Sequence, residues 1–184
     1  GIKVSRLGIG TGTGLPSGYC AQALMDTNEL AGLLLYSLDR GINHWDTAFQ
    51  YNTYSHIKEA LKQIRRTDVV LTTKFSAAHE KETIRDFNTT LKDLNVDYVD
   101  VCLLHGVRTN TELQMRSGAL NAMVKLKKEG KVRAIGLSSH GLSVLKSVLE
   151  IPELDLVWAR INYAGLNMDS ECHGMYDQMA SVYW

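Results

Sequence analysis

Two hydrophobic periods alternate along the chain. Short apolar or β-branched runs lie at residues 5–10, 42–46, 69–73, 98–104, 132–137 and 156–161. Each is too short for a buried helix and reads as a strand. Between them the apolar residues space out to helical positions. Leu30, Leu33, Leu34 and Leu38 form one face, Ile57, Ala60, Leu61 and Ile64 a second, and Ile84, Phe87, Leu91 and Leu94 a third. Leu120, Met123 and Val124 form a fourth that stops at Gly130, and Leu142, Leu145, Val148 and Leu149 a fifth. Met175, Met179, Val182 and Tyr183 give a weaker sixth. Asp26 and Glu29 have the spacing of a capping box before the first helix, and Gly41 stands where a C′ glycine belongs.

Near-continuous apolar strands separated by amphipathic helices predict a parallel sheet with helices outside it. Polar residues choose between an open sheet and a barrel. Asp46, Lys74, His105 and Ser138 each fall just past a predicted strand, at intervals of 28, 31 and 33 residues. One polar side chain per βα unit, at a near-constant period, is the pattern of the C-terminal face of a (β/α)8 barrel. An open sheet would gather its ligand contacts at one switch point.

Composition narrows the function classes. The chain has 184 residues, with 20 Lys plus Arg balancing 20 Asp plus Glu. A net charge of zero predicts no electrostatic grip on nucleic acid or on an anionic membrane. The apolar runs are far shorter than a membrane span, and no signal peptide is visible. Cys20, Cys102 and Cys172 are odd in number and widely spaced, which argues for thiols in a reducing cytoplasm over disulfides or zinc. The glycine-rich stretch from Gly8 to Gly14 fails the GxGxxG test, because the third glycine position holds Thr13 or Leu15. It reads as a loop leaving the first strand.

Each polar residue alone has a plain explanation. Asp46 could cap a helix, Lys74 could be a solvated strand end, His105 a satisfied core histidine and Tyr51 packing. A barrel would instead converge an acid, a phenol, an amine and an imidazole on one pocket. An ammonium next to a phenol favours the phenolate, and a carboxylate holds the ammonium in place. The phenol becomes a tuned proton donor or acceptor, and the imidazole can orient a carbonyl. This suits carbonyl reduction, with hydride from a nicotinamide cofactor.

The motifs resemble those of the aldo-keto reductases along nearly the whole chain. The similarity starts at Gly1-Ile-Lys-Val-Ser-Arg-Leu-Gly-Ile-Gly-Thr11 and continues through Gly41-Ile-Asn-His-Trp-Asp-Thr-Ala48 with Tyr51. It then runs through Leu71-Thr-Thr-Lys74, Val96-Asp-Tyr-Val-Asp100, Leu103-Leu-His105 and Gly130-Lys-Val-Arg-Ala-Ile-Gly-Leu-Ser-Ser139, ending near Ala159-Arg-Ile-Asn-Tyr163. The resemblance implies a (β/α)8 TIM barrel and a catalytic set of Asp46, Tyr51, Lys74 and His105. It assigns Tyr54 to packing at the start of the next helix. It implies cofactor contacts at Gly10, Thr11, Ser138, Ser139 and Arg160, with NADPH favoured and NADH the alternative. Three positions depart from the family pattern: Ser139 stands where Asn is common, Arg160 where Gln is common, and Asn52 where glycine usually follows the tyrosine.

Such a barrel typically needs about 250 residues. The expectation is therefore one barrel domain over 1–184 with about six βα units, cut short at both ends, or else closed by self-association or a partner subunit. The substrate expected is a small carbonyl compound. Two other readings stand beside the reductase: a non-catalytic regulatory or binding subunit on the same fold, and a Schiff-base aldolase using Lys74.

Overall fold

The structure is a computed structural model that describes residues 1–14 and 20–159. Six parallel strands form one sheet in chain order: β1 (Gly8–Gly10), β2 (His44–Asp46), β3 (Val70–Phe75), β4 (Val99–Val107), β5 (Val132–Ser139) and β6 (Leu156–Ala159). The helices are α1 (Thr27–Asp39), α2 (Tyr54–Leu61), α3 (Glu80–Leu94), α4 (Asn110–Met115), α5 (Ser117–Lys128) and α6 (Leu142–Ser147). The weak sixth helical pattern and Arg160, Ile161 and Cys172 lie outside the described residues. Among the described residues no helix is long and apolar enough to cross a membrane.

The expected caps form. The Asp26 carboxylate accepts from Asn28 N and Glu29 N at 2.8 and 3.2 Å, closing the first turn of α1. Gly41 takes φ +82°, and the amides of Gly41 and Ile42 reach back to Leu38 O and Ser37 O, both at 2.9 Å. This Schellman pairing keeps Ile42 out of the sheet, so β2 starts two residues later than the pattern predicts. β1 is shorter for a related reason. Ser5 N donates to Asn43 Oδ1 at 2.7 Å, and Asn43 N donates to Ser5 Oγ at 3.0 Å, a side-chain stitch in place of a ladder. Leu33, expected on the buried face of α1, is 48% exposed, while Leu30 and Leu34 are buried.

The strands look apolar throughout because both faces are covered. Trp45, Leu71, Phe75, Leu104, Ile135 and Leu137 pack outward against Ile57, Phe87 and Met123 of the helices. Val70, Val101, Leu103 and Ala134 form a smaller inner cluster with Leu156 and Trp158. The sheet curls strongly about this inner cluster. The His44 ring on β2 lies 5.5 Å from the Trp158 ring on β6, edge to face. In a flat sheet these strands, four places apart, would be separated by about 19 Å. The described residues thus build a curled part of a (β/α)8 barrel.

Strands β3, β4 and β5 run further at their C-terminal ends than the apolar runs suggest. Lys74, His105 and Ser138 therefore lie inside their strands rather than past them, and Asp46 is the last residue of β2. The sheet ladder tolerates polar residues there because their side chains point into the curl.

Candidate active site

All six strands and one loop contribute to a cleft of about 780 Å³, lined by Gly10, Asp46, Tyr51, Lys74, His105, Ser138 and Trp158 among others. Register explains the convergence. Gly10 pairs with Asp46, and Asp46 with Thr72, two residues before Lys74 on the same face of β3. Lys74 pairs with Leu103, two residues before His105.

Lys74 is 3% exposed and donates to Asp46 Oδ2 at 2.6 Å and to Thr47 O at 2.8 Å. Burial pushes the Asp46 carboxyl up to about 6, against the opposing pull of Lys74. Burial also pushes the Lys74 ammonium below its ordinary value, while Asp46 draws it back up. The short contact holds them as an ion pair near neutral pH.

Tyr51 ends a one-turn 3₁₀ helix, Phe49–Tyr51, on the loop after β2. Its hydroxyl lies 3.4 Å from His105 Nε2, with the two rings at 77°. The Lys74 ammonium stands 5.0 Å from the centre of the Tyr51 ring. Asn52, which follows, has φ 57°. That left-handed conformation is the reason glycine suits the position, and Asn is among the side chains that tolerate it best. A Cβ at Gly12 would fall 2.2–2.5 Å from three Tyr51 ring carbons. The stretch read as a bland loop therefore seats the phenol.

His105 Nδ1 lies 3.3 Å from Gln50 Oε1. The Gln50 amide can turn its oxygen or its nitrogen to that ring atom, so the neutral ring can carry its proton on Nδ1 or on Nε2, the nitrogen that faces Tyr51. Burial first, then the charges of Lys74, Arg116 and His140, lower the His105 pKa to about 4. The ring is neutral at pH 7.

The remaining expected residues divide. Gly10 faces the cleft with open space beside it. Ser138 lines the cleft, and its hydroxyl accepts from Gly106 N at 2.8 Å. Ser139 also borders it, but its hydroxyl donates to Val107 O at 2.6 Å and accepts from Gly141 N at 3.0 Å, which fixes the turn after β5. Thr11 is buried, its hydroxyl bonded to Thr53 Oγ1 at 2.9 Å and to Asp46 O at 3.1 Å. Arg160 lies outside the described residues. Tyr54 is buried, and its hydroxyl bonds Thr73 and Thr90 at 2.8 and 3.1 Å, so it packs and leaves the cleft to Tyr51.

Sequence reasoning missed His44 and Trp158. Both face the cleft, and Trp158 lies under Lys74 with the ammonium 5.1 Å from its ring. Their alternation with outward-facing neighbours was a usable signal.

The Aldo/keto reductase family model matches residues 6–179. The chain belongs to that family. It is 33% identical over 176 residues to a protein named probable aldo-keto reductase 1 of Glycine max, covering 86% of this chain and 49% of that protein. It is 26% identical to an NADH-specific methylglyoxal reductase of Escherichia coli, covering 92% of this chain and 59% of the relative. The holo form of an aldo-keto reductase from Bacillus halodurans superposes with a TM-score of 0.70 at 25% identity, over 86% of this chain and 54% of that one. The chain thus spans about half the length of the curated relatives it matches.

Proposed function

We propose that the chain carries the catalytic half of a nicotinamide-dependent reductase that converts an aldehyde or ketone to an alcohol, with Tyr51 as proton donor. One observation carries the reading: Asp46, Tyr51, Lys74 and His105, from three strands and a loop, converge on a single cleft.

The residues at the cleft suit a nicotinamide. Gly10 leaves open space beside the Asp46–Lys74 pair, and Ser138 puts a hydroxyl at the border that can bond a carboxamide. Gly10 and Ser138 would hold the ring end, with Ser139, Thr11 and Arg160 as the other expected contacts. When bound, the reduced cofactor supplies hydride, which no side chain can.

The chain's own groups would manage the proton. The Tyr51 hydroxyl gives its proton to the carbonyl oxygen as that oxygen gains negative charge. The phenolate left behind is favoured by the Lys74 ammonium, which Asp46 keeps charged and in place. Neutral His105, whose Nε2 lies 3.4 Å from the Tyr51 oxygen, stands where that nitrogen can donate to the same carbonyl oxygen and orient it. Family membership favours NADPH, and the name of the Escherichia coli relative makes NADH the alternative.

The test is a carbonyl panel followed by loss of reduced-cofactor absorbance, with the native chain and Tyr51→Phe side by side. Turnover by the native chain that falls by about three orders of magnitude or more in Tyr51→Phe, with cofactor affinity kept, supports the reading. A Phe variant with full rate refutes the assignment. A folded chain that binds cofactor and turns over no carbonyl favours the non-catalytic subunit.

A further inference from the structure

Arg116 takes no part in the proton chemistry above, yet its guanidinium is buried beside it. The residue is only 3% exposed, an uncommon place for arginine. It stands at the junction of α4 and α5, and its donors go mainly to carbonyl oxygens. Nη1 donates to His105 O at 2.9 Å, Nη2 donates to Phe75 O, and Nε reaches Ala77 O at 3.4 Å. The Glu112 carboxylate lies 3.5 Å from Nη1 and balances the charge.

Those carbonyls are placed tellingly. The β3–β4 ladder ends at Phe75 and Leu104, and the β4–β5 register breaks between Leu104 and Val107. Lys74 and His105 sit on either side of that ending. Cross-strand bonding therefore stops where the relative position of the two side chains matters most.

We propose that Arg116 is a positioning residue: its guanidinium spans the ends of β3 and β4 and sets where Lys74 and His105 stand around the Tyr51 hydroxyl. The idea rests on the reading of Tyr51 and His105 as the reacting pair. A planar fork with five donors can hold carbonyls in three directions at once, which a lysine ammonium on a flexible stem cannot do with the same geometry. The charge has a second consequence. His105 is faced by the cations Lys74 and Arg116, by His140, by the Tyr51 hydroxyl and by the Gln50 amide. Removing the Arg116 charge eases protonation of the imidazole.

Arg116→Lys and Arg116→Gln separate positioning from mere stability. Three quantities are read on the full chain: the denaturation midpoint, the His105 imidazole signals and their pH titration by NMR, and kcat and KM on any carbonyl the native chain reduces. Positioning predicts that kcat falls by about tenfold to a hundredfold in both variants while the KM for NADPH changes by less than about threefold. It also predicts displaced or broadened His105 signals in both, and a higher His105 midpoint in Arg116→Gln. Variants that lose only thermal or denaturant stability, with native kcat and native His105 signals, overturn the proposal. So does a lysine variant that restores both. If Arg116→Gln does not fold, Arg116→Lys still decides. If the native chain reduces no carbonyl, the activity reading fails on its own, and the His105 signals alone decide whether Arg116 positions that ring.

Discussion

Tyr51 packs against a glycine and an imidazole. Gly12 packs so close to the ring that a methyl group there would overlap three of its carbons, and His105 meets the hydroxyl at 3.4 Å. Gly12→Ala must move either the ring or the loop. The ring pivots on its own Cβ, so its hydroxyl is the part that swings furthest. We predict a loss of turnover of about tenfold or more with circular dichroism unchanged, since about 1 Å of misplacement is costly in catalysis. His105 makes a second prediction. Its imidazole should titrate near 4 rather than at the ordinary 6.5, read by NMR on the native chain. The unfolded chain then binds a proton between those values that the folded chain refuses, so this group's stabilisation is full above 6.5 and is lost as pH falls to about 4. Asp46 works in the opposite sense. Its folded carboxyl keeps a proton up to about 6 against an ordinary 3.8, so its contribution is full at low pH and is lost as pH rises through 6. Replacing His105 by Gln removes only the first effect. Relative to the native chain, the variant should gain stability as pH falls from neutral to about 4.5, measured by urea denaturation.

Among the elements, β4 carries an ionisable side chain near each of its ends. His105 sits near its C-terminal end, and Asp100 near its start. Asp100 is wholly buried and accepts from Arg66 Nη2 at 2.7 Å and from Leu71 N at 2.9 Å, with the Arg133 guanidinium on its other oxygen. One carboxylate thereby ties β4 to β3, to β5 and to the turn before β3. Asp100→Ala leaves the Arg66 and Arg133 guanidinium groups short of a partner and should cost about 3–5 kcal/mol in chemical denaturation. Activity per folded molecule should be unchanged, because Asp100 is remote from the cleft-facing end of the strand.

Elements with both a period and a cap were legible in sequence: α1 between Asp26 and Gly41, and the helix that stops at Gly130, where φ is +74°. The meeting of Asp46, Lys74 and His105 at one end of the sheet was legible because strand register fixes which side chains share an end. Helix α4 was not. It has only Leu113 and Met115 as large apolar residues, too few for a period. Its sole signal was Thr109 with Glu112, and Thr109 Oγ1 does cap Glu112 N at 3.1 Å. Nor could a sequence tell that Thr11 and Ser139 spend their hydroxyls on the main chain and on Thr53, since only packing decides where a hydroxyl turns.

At the scale of the molecule, the curl brings distant strands into one site. His44, Lys74 and Trp158 come from β2, β3 and β6 and meet within 5.5 Å of one another in pairs, His44 with Trp158 and Lys74 with Trp158. A flat sheet of the same strands would leave Lys74 without its aromatic floor. We propose that this curled half-barrel forms a nicotinamide site around the Tyr51–Lys74–His105 cluster. The most direct measurement is a fluorescence titration of the chain with NADPH, repeated with NADH, with circular dichroism showing that the chain is folded. The account predicts saturable binding, weakened when Ser138 is replaced by a bulky residue and retained in Tyr51→Phe. A folded chain whose titration shows no binding of either nucleotide would contradict it.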